Sequence, residues 1–276
     1  MSPQKMIKKE ALGRLRGNWP TALGILCLPA AVWTLVAFAS EYICYCGGVF
    51  NVTDSVALFA SPVALACLAV SVLFRLLVAF FVLRPLLLGV QRWWCGLAFD
   101  KNMGAGMCLY YFSRAEYGHC IKYSFRMLLR LLLRAAPIAL VLLVLTGLCG
   151  VAARPAVLTE FFTQGITALQ EHEISAMNTA FAILLPLGIL VFVLLCIRFL
   201  LSDYLFITER ELNSMTLSAQ RMRGYKKHSA RVLLSFLWWI LLSLFAIPLL
   251  FTVPYMGMAL TVLCKWIVYN QRHSAE

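Results

Sequence analysis

Residues Pro62–Leu83, PVALACLAVSVLFRLLVAFFVL, form an apolar run of 22 residues with a single charge, Arg75. A helix needs about 20 mostly apolar residues to cross the hydrocarbon core of a membrane. The whole chain has 276 residues and is 62% hydrophobic but only 13% charged, whereas soluble domains carry about a quarter charged residues. We therefore predict that Pro62–Leu83 is a transmembrane helix and that the protein is not water-soluble.

Apolar runs of similar length recur along the chain and predict an all-α fold. We expect one integral membrane domain over residues 1–276, a polytopic transmembrane helix bundle of about six spans: Thr21–Ser40, Pro62–Leu83, Ala135–Ala153, Ala180–Ile197, Val232–Phe251 and Thr252–Tyr269. The last two share one run. Pro248 and Pro254 predict a tight hairpin there, because proline disrupts the interior of a helix. A single crossing of this run is the alternative.

The basic residues predict the orientation of the spans. If the N-terminus is cytoplasmic, 22 of the 24 Lys and Arg lie on the cytoplasmic side, and the exceptions are Arg75 and Arg154. This distribution is typical of the positive-inside rule. We therefore predict a multi-pass protein of the cytoplasmic membrane with both termini in the cytoplasm. Because the net charge of +12 orients the spans, it argues against nucleic acid as a partner.

Three cytoplasmic segments, 1–18, 84–134 and 198–231, have the pattern of amphipathic helices. We expect them to lie at the membrane interface, where the anionic lipids of the inner leaflet attract basic side chains. The partners predicted from this pattern are membrane lipids. The alternative is a set of solvated helices whose charges only fix the topology.

The third cytoplasmic segment carries local helix signals. Thr208 and Glu211 have the spacing of a capping box and predict a helix start near Glu209. Gly224 is expected to end that helix in a left-handed conformation. The cluster that would contact lipid follows at the same end: Arg221, Arg223, Lys226 and Lys227.

A glycine after a basic helical pattern occurs three times, at Gly17, Gly118 and Gly224. Each glycine precedes an apolar run. The similar spacing predicts three repeated helical hairpins, each with its own interfacial helix. A chance recurrence is the alternative.

Four short motifs resemble a known family. They are ALGRLRGNW at 11–19, LRPLLLGVQRWW at 83–94, SAQRMRG at 218–224 and VPYMGMALTVL at 253–263. With these motifs the chain is similar to the bacterial integral membrane family known as domain of unknown function 975. The resemblance implies a multi-pass membrane protein without an established activity, and it transfers no catalytic residues.

Arg75 is the strongest single candidate for a site, since charged residues within a span are functional candidates by default. It could contact a lipid headgroup or an anionic substrate, or its long side chain could extend to the cytoplasmic interface. The spacing of the other residues indicates no catalytic set, no metal ligands and no cofactor. We therefore predict a non-enzymatic scaffold or accessory component of the membrane. The alternative is a transporter or permease for an amphiphilic or anionic substrate, with Arg75 as a contact. A lipid-modifying enzyme would need polar residues clustered at one depth.

Overall fold

The structure is a computed structural model that describes residues 3–51, 61–100, 103–153, 171–236 and 246–273. These residues form helices and no strands, which confirms the all-α prediction. The α-helices of the described residues are α1 (Pro3–Leu15), α2 (Trp19–Cys46), α3 (Pro62–Val78), α4 (Arg84–Ala98), α5 (Arg114–Ala153), α6 (Glu171–Cys196), α7 (Ser202–Glu209), α8 (Ser214–Arg221), α9 (Lys226–Leu234) and α10 (Ala246–His273). A π-turn, Ala79–Leu83, joins α3 to α4, and a 3₁₀ segment, Ala105–Phe112, lies between α4 and α5.

Five helical stretches of the described residues are long and apolar enough to cross a membrane. They are Trp19–Cys46, Pro62–Ala98, Arg114–Leu148, Thr179–Glu209 and Leu250–Gln271. The helical architecture is therefore that of a membrane protein. The first four predicted spans fall on α2, α3, α5 and α6 to within a few residues.

The chain forms two compact units. The second unit, residues 126–198, is a helical hairpin made of most of α5 together with α6. These two helices approach closely at Gly188, where an added Cβ would lie 2.6 Å from a methyl carbon of Leu142. Most other apolar side chains of this hairpin face outward, as expected for helices surrounded by lipid.

The first unit, residues 1–125 and 199–276, contains α2 and α3 as an antiparallel pair. Arg75 Nε donates a hydrogen bond to Ser40 Oγ, and Cys44 Sγ lies 3.3 Å from Ser71 Oγ. Both pairs follow the same antiparallel register. Continued past the π-turn, this register brings α4 alongside the first half of α2, which α4 contacts.

The packed core of the first unit lies around α4 and not between the spans. Nine of the 15 residues of α4 are buried, whereas only two residues of α3 are. Besides Leu86 and Trp93 of α4, the core takes side chains from α1, the 3₁₀ segment, α7, α8 with the residue that follows it, and α10: Ile7, Leu15, Tyr111, Leu205, Met215, Met222, Leu263 and Ile267. Burying a large apolar side chain contributes about 1.5–3 kcal/mol. The parts of the predicted interfacial segments that belong to the first unit therefore pack against one another in a domain, which we call the basic-side domain.

Helix α10 corrects the prediction for the last apolar run. The turn expected between Phe251 and Thr252 is wrong, because both residues lie inside α10, which also continues through Pro254. A proline inside a helix costs about 3 kcal/mol. Packing outweighs this cost: α10 contacts α1, α2 and α4, and Thr252 and Tyr255 are buried.

The rings of Phe236 and Tyr255 are in contact, with 5.4 Å between their centroids. Only 18 residues separate them in the sequence, equivalent to about 27 Å of helix. Two helical crossings need about 40 residues. The contact therefore does not fit two membrane crossings with the predicted bounds Val232–Phe251 and Thr252–Tyr269; residues 237–245 lie outside the described part of the chain.

The helix start predicted near Glu209 is also wrong. Helix α7 ends at Glu209, and Arg210 follows with a left-handed φ of 55°. The hydroxyl of Thr208 donates to the carbonyl of Tyr204 at 2.8 Å, so it satisfies the preceding turn and caps no new helix. The next helix, α8, begins only at Ser214.

The glycine repeat is present twice in the described residues, not three times. Gly17 and Gly224 have φ values of 86° and 90°, which confirms the left-handed conformation predicted for Gly224. Gly118 instead lies inside α5. Each left-handed glycine lies two residues beyond a fully buried side chain at the end of a helix, Leu15 in α1 and Met222 directly after α8.

Candidate functional site

A partly buried ion pair joins α4 and α7 in the basic-side domain. Arg84 Nη2 lies 2.6 Å from Asp203 Oδ1, and Nη1 lies 3.3 Å from Oδ2. Tyr123 Oη donates to the same Oδ1 at 2.6 Å, and its ring stacks on Phe206 with 4.1 Å between centroids. Because both carboxylate oxygens already accept hydrogen bonds, the geometry indicates that Asp203 stabilises the contact between α4 and α7 and is not placed to act as a catalytic base.

A cavity of about 640 Å³ opens between α4, the residues that follow it and the end of α7. Its size is within the range of pockets that hold small molecules. The polar part of its lining comes from Arg92, Thr208, Glu209 and Arg210, and the apolar part includes Phe99 and Met103. It is the principal candidate for a binding site in this domain.

The ring of Tyr110 connects two of the arginines at this cavity. The guanidinium carbon of Arg92 lies 3.7 Å from the ring centroid, which is a cation–π contact. At the other end of the ring, Tyr110 Oη accepts from Arg210 Nη2 at 2.9 Å and lies 3.1 Å from Glu116 Oε1. Arg210 also pairs with Glu116 at 2.9 Å. The carboxylate of Glu116 therefore balances the positive charge of Arg210.

Tyr111, the next residue, is 2% exposed. Burial raises the pKa of Tyr111 to about 12, while a hydrogen bond and the positive charge of Arg92 lower it. The phenol is therefore neutral near pH 7. The neutral phenol of Tyr111 can hydrogen-bond with Arg92 but does not neutralise its positive charge.

The predicted lipid-contact cluster is divided by the structure. Arg221 forms a bidentate pair with Glu209, with N–O distances of 2.6 and 3.0 Å. Its neighbours Arg223, Lys226 and Lys227 are exposed. Arg221 is thus engaged within the protein, and the three exposed residues keep their predicted role in lipid contact.

Arg75, the predicted intramembrane site, is paired with Ser40 of α2. Ser40 is fully buried, and its Oγ also donates to the carbonyl of Ala37 at 2.8 Å. The hydrogen bond of Arg75 therefore joins α2 and α3 at the position of Ser40.

The sequence analysis did not identify Arg92 as a candidate, because its surroundings come from residues that are far apart in the chain.

The helices define the class of protein, an α-helical membrane protein with a packed domain formed by the basic ends of its helices. Comparison with protein-family models, with curated proteins and with solved structures finds no match. The resemblance noted from the four sequence motifs thus stays a prediction.

Proposed function

We propose that the protein is a non-enzymatic scaffold or accessory component of the cytoplasmic membrane, whose spans hold the basic-side domain at the inner leaflet. One observation carries the proposal: the interior of the protein is packed in that domain, while the spans bury little. In the most apolar windows of the first four spanning helices, between 0% and 22% of the residues are buried. Apolar surface of this kind is covered by lipid or by other membrane helices.

The termini support a single orientation for this domain. Lys265, in the last third of α10, donates to the carbonyl of Ala98 at 2.7 Å and lies 3.5 Å from Glu10 of α1. The N-terminal and C-terminal helices therefore meet at the same end of the first unit. Because the excess of Lys and Arg is at that end, the positive-inside rule assigns it to the cytoplasm.

In this proposal α10 belongs to the domain and does not cross the membrane. The most apolar window of α10 is 61% buried, far more than in the other four candidates. Helix α10 packs against the first residue of α2 and the last part of α4. The rings of Trp19 and Phe251 lie 5.8 Å apart between centroids, and Trp94 leaves no room for a Cβ on Gly257. The apolar composition of α10 is thus explained by burial within protein.

The proposed lipid partners are the anionic lipids of the inner leaflet. Arg223, Lys226 and Lys227 are exposed near the start of α9. Each basic residue near such a surface contributes about 1 kcal/mol of attraction. These contacts would orient the domain against the membrane.

The scaffold proposal is tested by photo-crosslinking from the second unit in native membranes. A photoreactive residue is placed singly at each position of α5 from Leu140 to Leu148. We expect a protein adduct of one discrete mass from positions three or four apart, because these share a helix face. Leu142 is the internal control, since it faces Gly188 and should crosslink within the hairpin. Adducts to lipid alone around the whole helix would refute the proposal.

The transporter alternative has one observation in its favour, the placement of Arg75 within a predicted span. Its hydrogen bond to Ser40 supports a role in helix packing instead. A transport role would require that water or substrate reach the guanidinium. Reconstituted vesicles in which Arg75→Gln changes the leak of small anions, while helix packing is unchanged, would favour transport.

A further inference from the structure

The cavity beside α4 has an unbalanced positive charge, because two of its three charged lining residues are already paired. Glu209 binds Arg221 in a bidentate pair, and Arg210 binds Glu116. The third, Arg92, forms no ion pair with a carboxylate among the described residues. The net charge offered to the cavity therefore comes from Arg92.

Arg92 is held in place but has unused hydrogen-bonding capacity. Its guanidinium stacks on Tyr110 at 3.7 Å and lies 6.0 Å from the ring centroid of Tyr111. Its Nε atom is buried, and no described residue accepts a hydrogen bond from it. A buried donor without an acceptor is unfavourable, and more so in a charged group. Arg92 also lines the cavity, so a ligand with anionic oxygens bound there would balance its charge.

We propose that this cavity binds a phosphate-bearing anion through the guanidinium of Arg92. The planar guanidinium offers donors in a rigid fork that matches phosphate oxygens, and stacking on an aromatic ring fixes its plane in advance. The cavity volume of about 640 Å³ leaves room for a small organic group attached to the phosphate. Phe99 and Met103 supply apolar walls for such a group.

Two sources could supply this chemistry, a water-soluble phosphate ester or the headgroup of an anionic phospholipid. Arg92 lies eight residues, or about 12 Å along the helix axis, beyond Arg84, which directly follows the predicted span Pro62–Leu83. A lipid headgroup and a soluble phosphate ester can therefore both reach Arg92 when the domain lies against the leaflet. Binding at Arg92 does not depend on the scaffold proposal, because an anion site would serve a scaffold or a transporter equally.

The test uses the full chain purified in detergent and, separately, in lipid nanodiscs. Pyrophosphate is the soluble probe, and its affinity is measured by calorimetry. Nanodiscs of phosphatidylglycerol or phosphatidylcholine provide the lipid probe, and the lipids retained after extraction are counted by native mass spectrometry. The variants are Arg92→Gln and Arg92→Lys. Arg16→Gln is the matched control, since it removes the same charge from an exposed position of the same unit that belongs neither to the cavity nor to the proposed lipid-contact cluster.

We expect Arg92→Gln to weaken binding of one probe by about tenfold or more, because a hydrogen bond to a charged group is lost. Arg92→Lys should retain part of the affinity, since it keeps the charge but loses the fork, and Arg16→Gln should bind normally. Loss of pyrophosphate binding identifies a soluble ligand, and loss of retained phosphatidylglycerol alone identifies a lipid headgroup. The proposal is overturned if wild-type protein binds neither probe, or if Arg92→Gln and Arg16→Gln weaken binding equally.

Discussion

Replacing Asp203 with asparagine is expected to destabilise the basic-side domain strongly. The substitution keeps the shape of the side chain but removes the negative charge that faces Arg84. It also weakens the hydrogen bond from Tyr123, which is 2.6 Å long in the structure. The guanidinium of Arg84 would then lose the carboxylate that it faces.

The structure allows the size of this effect to be worked out. Removing one partner of a buried ion pair costs about 3–5 kcal/mol. The side chains of Arg84 and Asp203 are still 23% and 17% exposed, so water offsets part of the loss and we expect about 3 kcal/mol. For a chain of this size, that corresponds to a decrease in Tm of about 6–12 °C. Tyr123→Phe removes the hydrogen bond to the Asp203 carboxylate and should cost about 1.5–3 kcal/mol.

The assay is thermal unfolding of the detergent-purified protein, followed by tryptophan fluorescence. Glu211→Gln is the matched control, because it removes one exposed carboxylate just beyond the other end of α7. The double variant Arg84→Met with Asp203→Leu should recover most of the lost stability, since no charge is left buried. If Asp203→Asn unfolds within about 1 °C of Glu211→Gln, the prediction is refuted and the ion pair does not stabilise the domain.

Three further substitutions test the packing of the first unit. Gly89→Ala should cost about 3 kcal/mol, because its Cβ would collide with a backbone carbonyl of the 3₁₀ segment. The control Gly106→Ala, in open space, should change the free energy of unfolding by less than about 0.5 kcal/mol. Equal effects of the two substitutions on Tm would contradict the close approach at Gly89. Gly224→Ala should cost about 1–2 kcal/mol, since φ is 90° there, and an unchanged Tm would count against the left-handed turn. Ser40→Ala should cost about 0.6 kcal/mol, as is typical of hydrogen bonds between membrane helices; unfolding in mixed micelles would show this, and no effect would mean that Arg75 does not depend on this acceptor.

The membrane character of the chain could be predicted because it depends on local composition. The 22-residue run Pro62–Leu83 is long enough and apolar enough to indicate a span without any knowledge of its neighbours. Gly224 was predicted correctly for a similar reason, since a left-handed turn after a helix is a local preference of glycine. In both cases the free energy that decides the structure is contained within a few adjacent residues.

Helix α10 shows where local reasoning fails. Pro254 predicts a break, but the contacts of α10 with α1 and α4 come from residues more than 150 positions away and outweigh the local cost. Thr208 is a second case, because its hydroxyl has two acceptable local uses and the fold selects the carbonyl of Tyr204. High hydropathy likewise does not distinguish a span from a helix buried in protein.

The candidate site could not be predicted for a related reason. Arg92 becomes notable only because Tyr110 lies under its guanidinium and because Glu116 and Arg221 pair with the other charged residues of the cavity. These partners come from three separate segments of the chain. A list of basic residues in the sequence contains Arg92 without any sign that its charge is left unpaired.

The most direct test of the central claim is the topology of the packed domain. Short epitope tags would be inserted singly at Gly106, at Glu211 and after the C-terminus, with a fourth at Ala168, and their accessibility would be probed in intact and permeabilised cells. Gly106 and Glu211 are exposed, so the tags should not disturb the core. We predict that the first three tags are accessible only after permeabilisation and that the tag at Ala168 is accessible in intact cells. A C-terminal tag on the opposite side from Gly106 and Glu211 would contradict the claim, because α10 would then cross the membrane and could not pack with α1 and α4 in one cytoplasmic domain.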